Sequence, residues 1–398
     1  ENNRRQKQRK RDGHVAKIIS FIVSVIMFCF PALNIPHVKV DDTKFNTEYA
    51  NVFVHGLAGW GSYTWDNDFL PYWGMFGGDL MQYLNARGFE CYSATVDPTG
   101  SAWDRACELY AQLTGTVTDY GEEHSKRCRH DRYGEDYSSD PLIDEWSAED
   151  KINLLGHSFG GATVRLLAEL MANGSEAERK ASGSDVSDLF TGGKADWIYS
   201  VTALAAPHNG TTAYLVRDAI IKDVNATAEE RAVVAMLTVA TAPHLDRALS
   251  DSAEYDMDID HALAMNENIS TLKNVYYFSY PCSATERNAD GTYSPVDGNI
   301  DKLFRACAVR MGKFTCTTKG GYVVDEKWFE NDGLVNKISA LAPFNAPSAV
   351  YSGGEVATGV WNIMPTFSGD HLSINGGLFV NHNVRVFYVD LLSMINEL

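Results

Sequence analysis

Short apolar runs alternate along this chain with longer segments in which apolar residues return every three or four positions. Asn51 to Val54, Glu90 to Thr95, Ile152 to Leu155, Trp197 to Ala203 and Val275 to Tyr280 have the length and composition of buried strands. Asp79 to Ala86, Trp103 to Leu113, the stretch after Gly160, two patterns within Tyr214 to Leu249, and Asn383 to Asn396 have helical spacing. Strands that alternate with helices predict a mostly parallel sheet covered by helices, an α/β fold. Thr114 to Ser147 breaks the rhythm: it is polar and aperiodic, and predicts an insertion without sheet elements. With 398 residues, 45% of them hydrophobic, the chain can bury one large α/β domain or two smaller ones.

The most informative junction is the one between the Ile152 strand and the Gly160 helix. Gly156-His157-Ser158-Phe159-Gly160 fits G-x-S-x-G there. A strand-to-helix elbow needs small flanking residues, because a Cβ on either side would strike neighbouring backbone, and it exposes the serine hydroxyl at the helix N-terminus. Ser158 is therefore the candidate nucleophile. The turn His55-Gly56-Leu57, directly after the first strand, places the Leu57 N–H as a candidate oxyanion donor beside that of Phe159. Asp332, in Asn331-Asp332-Gly333, and His371, in Gly369-Asp370-His371-Leu372, follow in the order nucleophile, acid, base. With 52 acidic residues and 11 histidines available, order alone leaves those two assignments open. The aromatic stretch from Trp60 to Phe76 suits an acyl pocket or plain surface packing.

Composition narrows the partners. A formal charge of −18 excludes nucleic acid and an anionic membrane surface. Residues 1–32 differ from the rest: seven Lys or Arg precede the apolar run Ile18 to Phe30, the make-up of a signal peptide or an uncleaved signal anchor, and so of a secreted, extracellular protein. Seven cysteines occur, Cys29 within that leader, and their spacing fixes no pairing.

Eight motifs in one order, VFVHGLAGWG, YWGMFGGDL, the Trp103-Asp104-Arg105-Ala106-Cys107 helix, TVTDYGEEH, LLGHSFGGATVRLL, SVTALAAPHNGTT, WFENDGLVN and GVWNIMPTFSGDHL, resemble the zinc-binding bacterial lipases of family I.5, the thermostable lipases of bacilli and their staphylococcal relatives. The likeness runs from about Val52 to the C-terminus. It implies an α/β-hydrolase (lipase) domain over 45–398, with Ser158, Asp332 and His371 as its triad. It also implies a structural zinc ion held in the insertion, 103–147, by Asp104, His124 and His130. The fourth ligand falls in a lid region, 212–255, that is shorter than the family's; Asp246 is the best counterpart, with Asp251 and Asp256 as alternatives. Ser373 and Leu378 stand where the family carries calcium-binding acids, so calcium is not expected there.

The function implied is a secreted serine carboxylester hydrolase acting on acylglycerols or other hydrophobic esters at a lipid–water interface or polymer surface. A phospholipase or acyltransferase with the same triad and a polyester-degrading esterase are the alternatives. A non-catalytic hydrolase-fold binding protein is disfavoured by an intact triad. The short lid predicts an open cleft.

Overall fold

The computed structural model describes residues 45–242, 244, 246–378 and 382–398. The leader at 1–32 lies outside the described residues. Seven strands form the central sheet: β1 (Ala50–Val54), β2 (Cys91–Ala94), β3 (Ile152–His157), β4 (Ile198–Leu204), β5 (Tyr276–Tyr280), β6 (Ser348–Val350) and β7 (Trp361–Ile363). Their spatial order is β6-β7-β5-β4-β3-β1-β2, and every pairing is parallel. This is the mostly parallel sheet flanked by helices that the alternating pattern predicts.

Strand alternation explains why both faces need cover. In β1, Val52 and Val54 point to one face, where they join Leu154 and Val201; Phe53 points to the other, with Leu155, Leu204 and Phe278. Those side chains are fully buried, which fixes the register, since a one-residue slip would exchange the two faces. The five strands expected from the sequence fall within two residues of their places. β6 and β7 were not anticipated: β6 is exposed at the sheet edge, so its residues carry no buried-strand signature.

Helix α1 (Ala102–Thr114) is capped by the Ser101 side chain on the Asp104 N–H and ends at Gly115 in the left-handed region (φ 60°). Ten of its residues are buried, among them the ionisable Asp104 and Arg105. The insertion is more regular than its polarity suggests. Val117–Asp119 pairs antiparallel with Tyr133–Asp136, and α2 (Glu122–Cys128) lies between them. α3 (Gly160–Asn173) follows the elbow and packs against both α1 and the sheet.

α4 (Ala213–Lys222) and α5 (Ala228–Ala240) account for the two amphipathic patterns after β4. A Thr227–Glu230 capping box starts α5. Arg310, on α6 (Lys302–Met311), pairs with Glu230 and with Asp223 (2.7 Å), holding both helices down. Tyr214 of α4 and Met236, Leu237 and Ala240 of α5 line the pocket that also contains Ser158, which is 6% exposed. α7 (Arg385–Asn396) closes the other face of the sheet through Tyr388, Leu391 and Leu392. Among the described residues no helix is long and apolar enough to cross a membrane, and Cys91, Cys107, Cys128, Cys282, Cys307 and Cys316 are unpaired thiols.

Candidate active site and metal-binding cluster

β3 delivers Ser158 at φ 54°, a left-handed conformation that costs a non-glycine residue on the order of 1–3 kcal/mol and is held by its surroundings. The Ser158 N–H donates to the Leu204 carbonyl of β4 (2.8 Å), and the Gly161 N–H donates to the Ser158 carbonyl (2.9 Å). The glycines are steric requirements. A Cβ on Gly156 would lie 2.3 Å from the Gly160 carbonyl oxygen, and one on Gly160 would lie 2.3 Å from that of Val54.

The structure brings the three residues of the expected triad together. His371 Nε2 is 2.7 Å from Ser158 Oγ, and His371 Nδ1 is 2.8 Å from Asp332 Oδ2. Asp332 Oδ1 accepts from the Leu334 and Val335 N–H groups (3.0 and 2.7 Å), and the His371 N–H donates to the Asp332 carbonyl (3.0 Å). A carboxylate so placed keeps the proton on Nδ1, which leaves the Nε2 lone pair facing the serine hydroxyl. That is the arrangement in which an imidazole can take a proton from Oγ.

Gly56 sits tight against the nucleophile, since a Cβ there would lie 2.7 Å from that of Ser158. The turn that leads to Leu57 is held from beneath by a residue the sequence reading passed over. The buried Arg105 guanidinium donates to the His55 carbonyl and to the Asp97 carbonyl (2.8 Å), its Nε donates to Thr163 Oγ1 (2.9 Å), and it lies over the Phe159 ring. It touches both segments that carry the candidate oxyanion donors. Its motif, Trp103 to Cys107, drew notice for Asp104, and nothing in the spacing says that the neighbouring Arg105 reaches the turn after β1.

The pocket above Ser158 has a volume of about 240 Å³ and is lined chiefly by apolar groups, including Leu57, Met75, Met257 and Phe304. Of the aromatic stretch, Trp60, Tyr72 and Phe76 line it; Trp73 is core, and Trp65 and Phe69 are exposed.

A second group of ionisable residues lies apart from that pocket. Asp104 of α1, His124 of α2, His130 and Asp251 place one ligand atom each within 4.8 Å of one another. His124 Nε2 is 2.9 Å from Asp104 Oδ1 and 3.4 Å from Asp251 Oδ1; His130 Nε2 is 3.5 Å from Asp251 Oδ2. The fourth member is Asp251 and not Asp246. Asp246 is exposed, whereas Asp251 is buried and fastened by the Ser101 hydroxyl (2.7 Å), whose neighbour helix carries Asp104. Two buried atoms of the group, His130 Nε2 and Asp251 Oδ2, have no hydrogen-bond partner, although such atoms are costly to leave unsatisfied. Burial disfavours a charge on His124, yet Asp104 and Asp251 outweigh it and raise its pKa to about 11. The site attracts a cation, and two imidazoles with two carboxylates are a donor set that a structural metal can use.

Comparison with known proteins agrees with this architecture. The family model described as "Lipase-like, C-terminal domain" matches residues 47–228 and 244–386. Lipase 1 of Staphylococcus aureus is 30% identical over 354 residues, covering 82% of this chain and 50% of that protein; Lipase 2 is 29% identical over 373 residues, covering 86% and 52%. The chain thus spans about half the length of these relatives. Among solved structures, EstA from Clostridium botulinum superposes with a TM-score of 0.76 at 33% identity, covering 92% of this chain and 93% of that one. The Staphylococcus hyicus lipase gives 0.72 at 25% identity over 90% and 98%, and lipase 1 from Pelosinus fermentans 0.71 at 32% over 88% and 99%. By family model, by relatives and by fold, the chain belongs to the lipase-like C-terminal domain family, the family I.5 lipases that its motifs resemble.

Proposed function

We propose that the protein is a secreted serine carboxylester hydrolase that cleaves acylglycerols and other hydrophobic esters through an acyl-enzyme. The observation that carries this reading is the hydrogen-bonded series Ser158–His371–Asp332 opening into an apolar pocket. His371 takes the Ser158 proton as Oγ attacks the ester carbonyl, and Asp332 orients the imidazole and stabilises its cation. The Leu57 and Phe159 N–H groups hold the oxyanion; one such donor is worth roughly 2.7–4 kcal/mol in the transition state. His371 then protonates the leaving alcohol, and water, activated by the same base, releases the acid.

The pocket favours neutral acyl chains. None of its described lining residues is Lys or Arg, so a phosphate head group would find no counter-charge inside it. Lipid–water interfaces and polymer surfaces fit as sources of such substrates. Asp104, His124, His130 and Asp251 would hold zinc, whose role is to fasten the insertion to α1 and to the segment after α5. None of the four lines the pocket, and the serine mechanism runs without them.

The test is initial rates on a series of esters of rising acyl length, with triacylglycerol and phosphatidylcholine in parallel, for the wild type and for Ser158→Ala. The reading expects turnover of neutral esters that Ser158→Ala abolishes and a marked preference over phosphatidylcholine. Absence of ester turnover by the folded wild type would sink it.

A further inference from the structure

Behind the candidate catalytic residues lies a line of buried hydrogen bonds that the acyl-transfer scheme does not use. The Gly56 N–H is 3.0 Å from Tyr72 Oη, Tyr72 Oη is 2.6 Å from His157 Nδ1, and His157 Nε2 is 2.8 Å from the carbonyl oxygen of His371. All four residues are buried. The line begins in the turn that carries Leu57 and ends on the backbone of the proposed base.

Every proton along it can be assigned. A carbonyl oxygen only accepts, so His157 Nε2 must carry a hydrogen. Burial keeps that ring neutral, pushing its pKa well below the ordinary value, so Nδ1 is a lone pair. The Tyr72 hydroxyl must then donate to Nδ1, and its oxygen accepts the Gly56 N–H. Each donor has one acceptor, and the series has one direction, from Gly56 through Tyr72 and His157 to the His371 carbonyl.

A second neutral histidine fixes the other end of the Gly56 unit. The Val96 N–H donates to His55 Nε2 (3.2 Å), so His55 holds its hydrogen on Nδ1, which lies 2.8 Å from the Gly56 carbonyl oxygen. That carbonyl shares a rigid peptide plane with the Leu57 N–H. Holding the one aims the other. Gly56 is thus held at its amide by Tyr72 and at its carbonyl by His55, with the Leu57 amide pointing as the plane dictates.

Resting on the triad and oxyanion reading above, we propose that the Tyr72 hydroxyl is a positioning group for acyl transfer: through His157 it holds the backbone of the base, His371, in register with the turn that presents the Leu57 oxyanion donor. Tyr72 touches neither Oγ nor the proton in flight. Its contribution is the relative placement of two loops, one after β1 and one before α7, far apart in sequence. Tyr72 also lines the pocket, so its ring must be kept while its hydroxyl is removed.

Tyr72→Phe makes that change. The expected result on a soluble short-chain ester is a kcat lower by roughly 10- to 100-fold, somewhat less than loss of an oxyanion donor itself, with KM within about twofold. The affinity for a trifluoromethyl ketone, which forms a tetrahedral adduct on serine, should fall by the same factor as kcat/KM. The midpoint of the pH–rate profile should stay in place, because neither ring nitrogen of His371 loses a partner. His157→Asn breaks the next link with Tyr72 still packed; the double variant should be no slower than the slower single, since both changes cut one series. If Tyr72→Phe does not fold, His157→Asn alone decides by the same three readouts. Wild-type kcat/KM in the folded Tyr72→Phe variant, a loss confined to KM, or full additivity in the double variant would overturn the proposal. These outcomes presuppose a wild type that turns over esters; a wild type with no turnover would count against the functional reading instead.

Discussion

The elbow and the metal cluster are both built from buried polar groups, yet they are held in place by different physics. Around Ser158 the backbone itself does the holding: parallel strands on either side, glycines whose missing Cβ atoms admit neighbouring carbonyls, and apolar clusters on both faces of the sheet. Around His124 and His130 the strand Tyr133–Asp136 is exposed throughout, Val117 is 43% exposed, and order comes from charge. Arg132 there clasps Asp119 (2.7 Å) and Asp185 (2.9 Å), and Arg247 reaches Asp104 (2.7 Å). The first region is placed by packing around a strained turn; the second is held by charge, and on the proposed reading a cation completes it. Function and stability should therefore separate between them.

The sharpest separation is expected at the nucleophile. Ser158→Ala should lower turnover by about 10⁶-fold, while the unfolding temperature stays within a few degrees, because the change deletes one oxygen and leaves the elbow's backbone bonds. Asp332→Asn should cost about 10⁴-fold, through loss of the orienting carboxylate on Nδ1. Rates on a soluble ester beside thermal melts check both. A large fall in melting temperature for Ser158→Ala would mean that the elbow is a structural device.

At the cluster the signs should reverse. Chelation or His130→Ala leaves Asp104 and Asp251 with less positive charge, that of Arg247 and His124 alone or with the ion, a loss of about 3–5 kcal/mol at most. The melting temperature should then drop by roughly 4–7 °C, with turnover at 25 °C changed less than about threefold. Asp251→Ala should follow the same course, whereas Asp246→Ala, at an exposed position, should stay within about 0.5 kcal/mol of the wild type. Melting curves with and without chelator, beside metal content by elemental analysis, read all of this. Turnover that stops on chelation while the fold persists would place the ion in the chemistry.

A smaller effect should come from acid, and it belongs to the elbow side. Burial, with the Arg105 charge nearby, holds His55 at a pKa of about 3, below its ordinary 6.5. Below pH 6.5 the unfolded chain binds a proton that the folded one refuses, so stability is full above that pH and is lost as pH falls towards 3. At pH 5 the shift amounts to about 2 kcal/mol from His55 alone. Melts at pH 7 and pH 5 of the wild type beside His55→Gln read its share, because His157 and His208, buried and held neutral in the same way, add losses of the same sign; an equal fall in both proteins would mean that His55 is charged in the fold.

How much of this was legible in the sequence depended on whether the determinant was local. The elbow was readable because its requirements sit within five consecutive residues, Gly156 to Gly160. Asp332 and His371 were singled out by the family resemblance and not by their turns alone, because 52 acidic residues and 11 histidines offer many such turns. β6 was not, since an exposed edge strand has no buried run to announce it. The hairpin inside the insertion was missed for the same reason: charge, and not apolar alternation, holds it. Asp251 lay five residues beyond the expected ligand because its place is set by the Ser101 hydroxyl and the approach of α1, contacts between segments about 150 residues apart. Tyr72 and His157 give no sequence signal of a role at all, since their meaning lies in which atom faces which.

The central claim is that Ser158 is the nucleophile of a hydrolase, and covalent labelling tests it most directly. A fluorophosphonate is added in slight excess to the folded wild type, residual ester turnover is followed in time, and the modified peptide is located by mass spectrometry. The account predicts one adduct per chain, on Ser158, with turnover lost in step with its formation. Full turnover after complete labelling, or an adduct on another residue accompanying the loss, would contradict it.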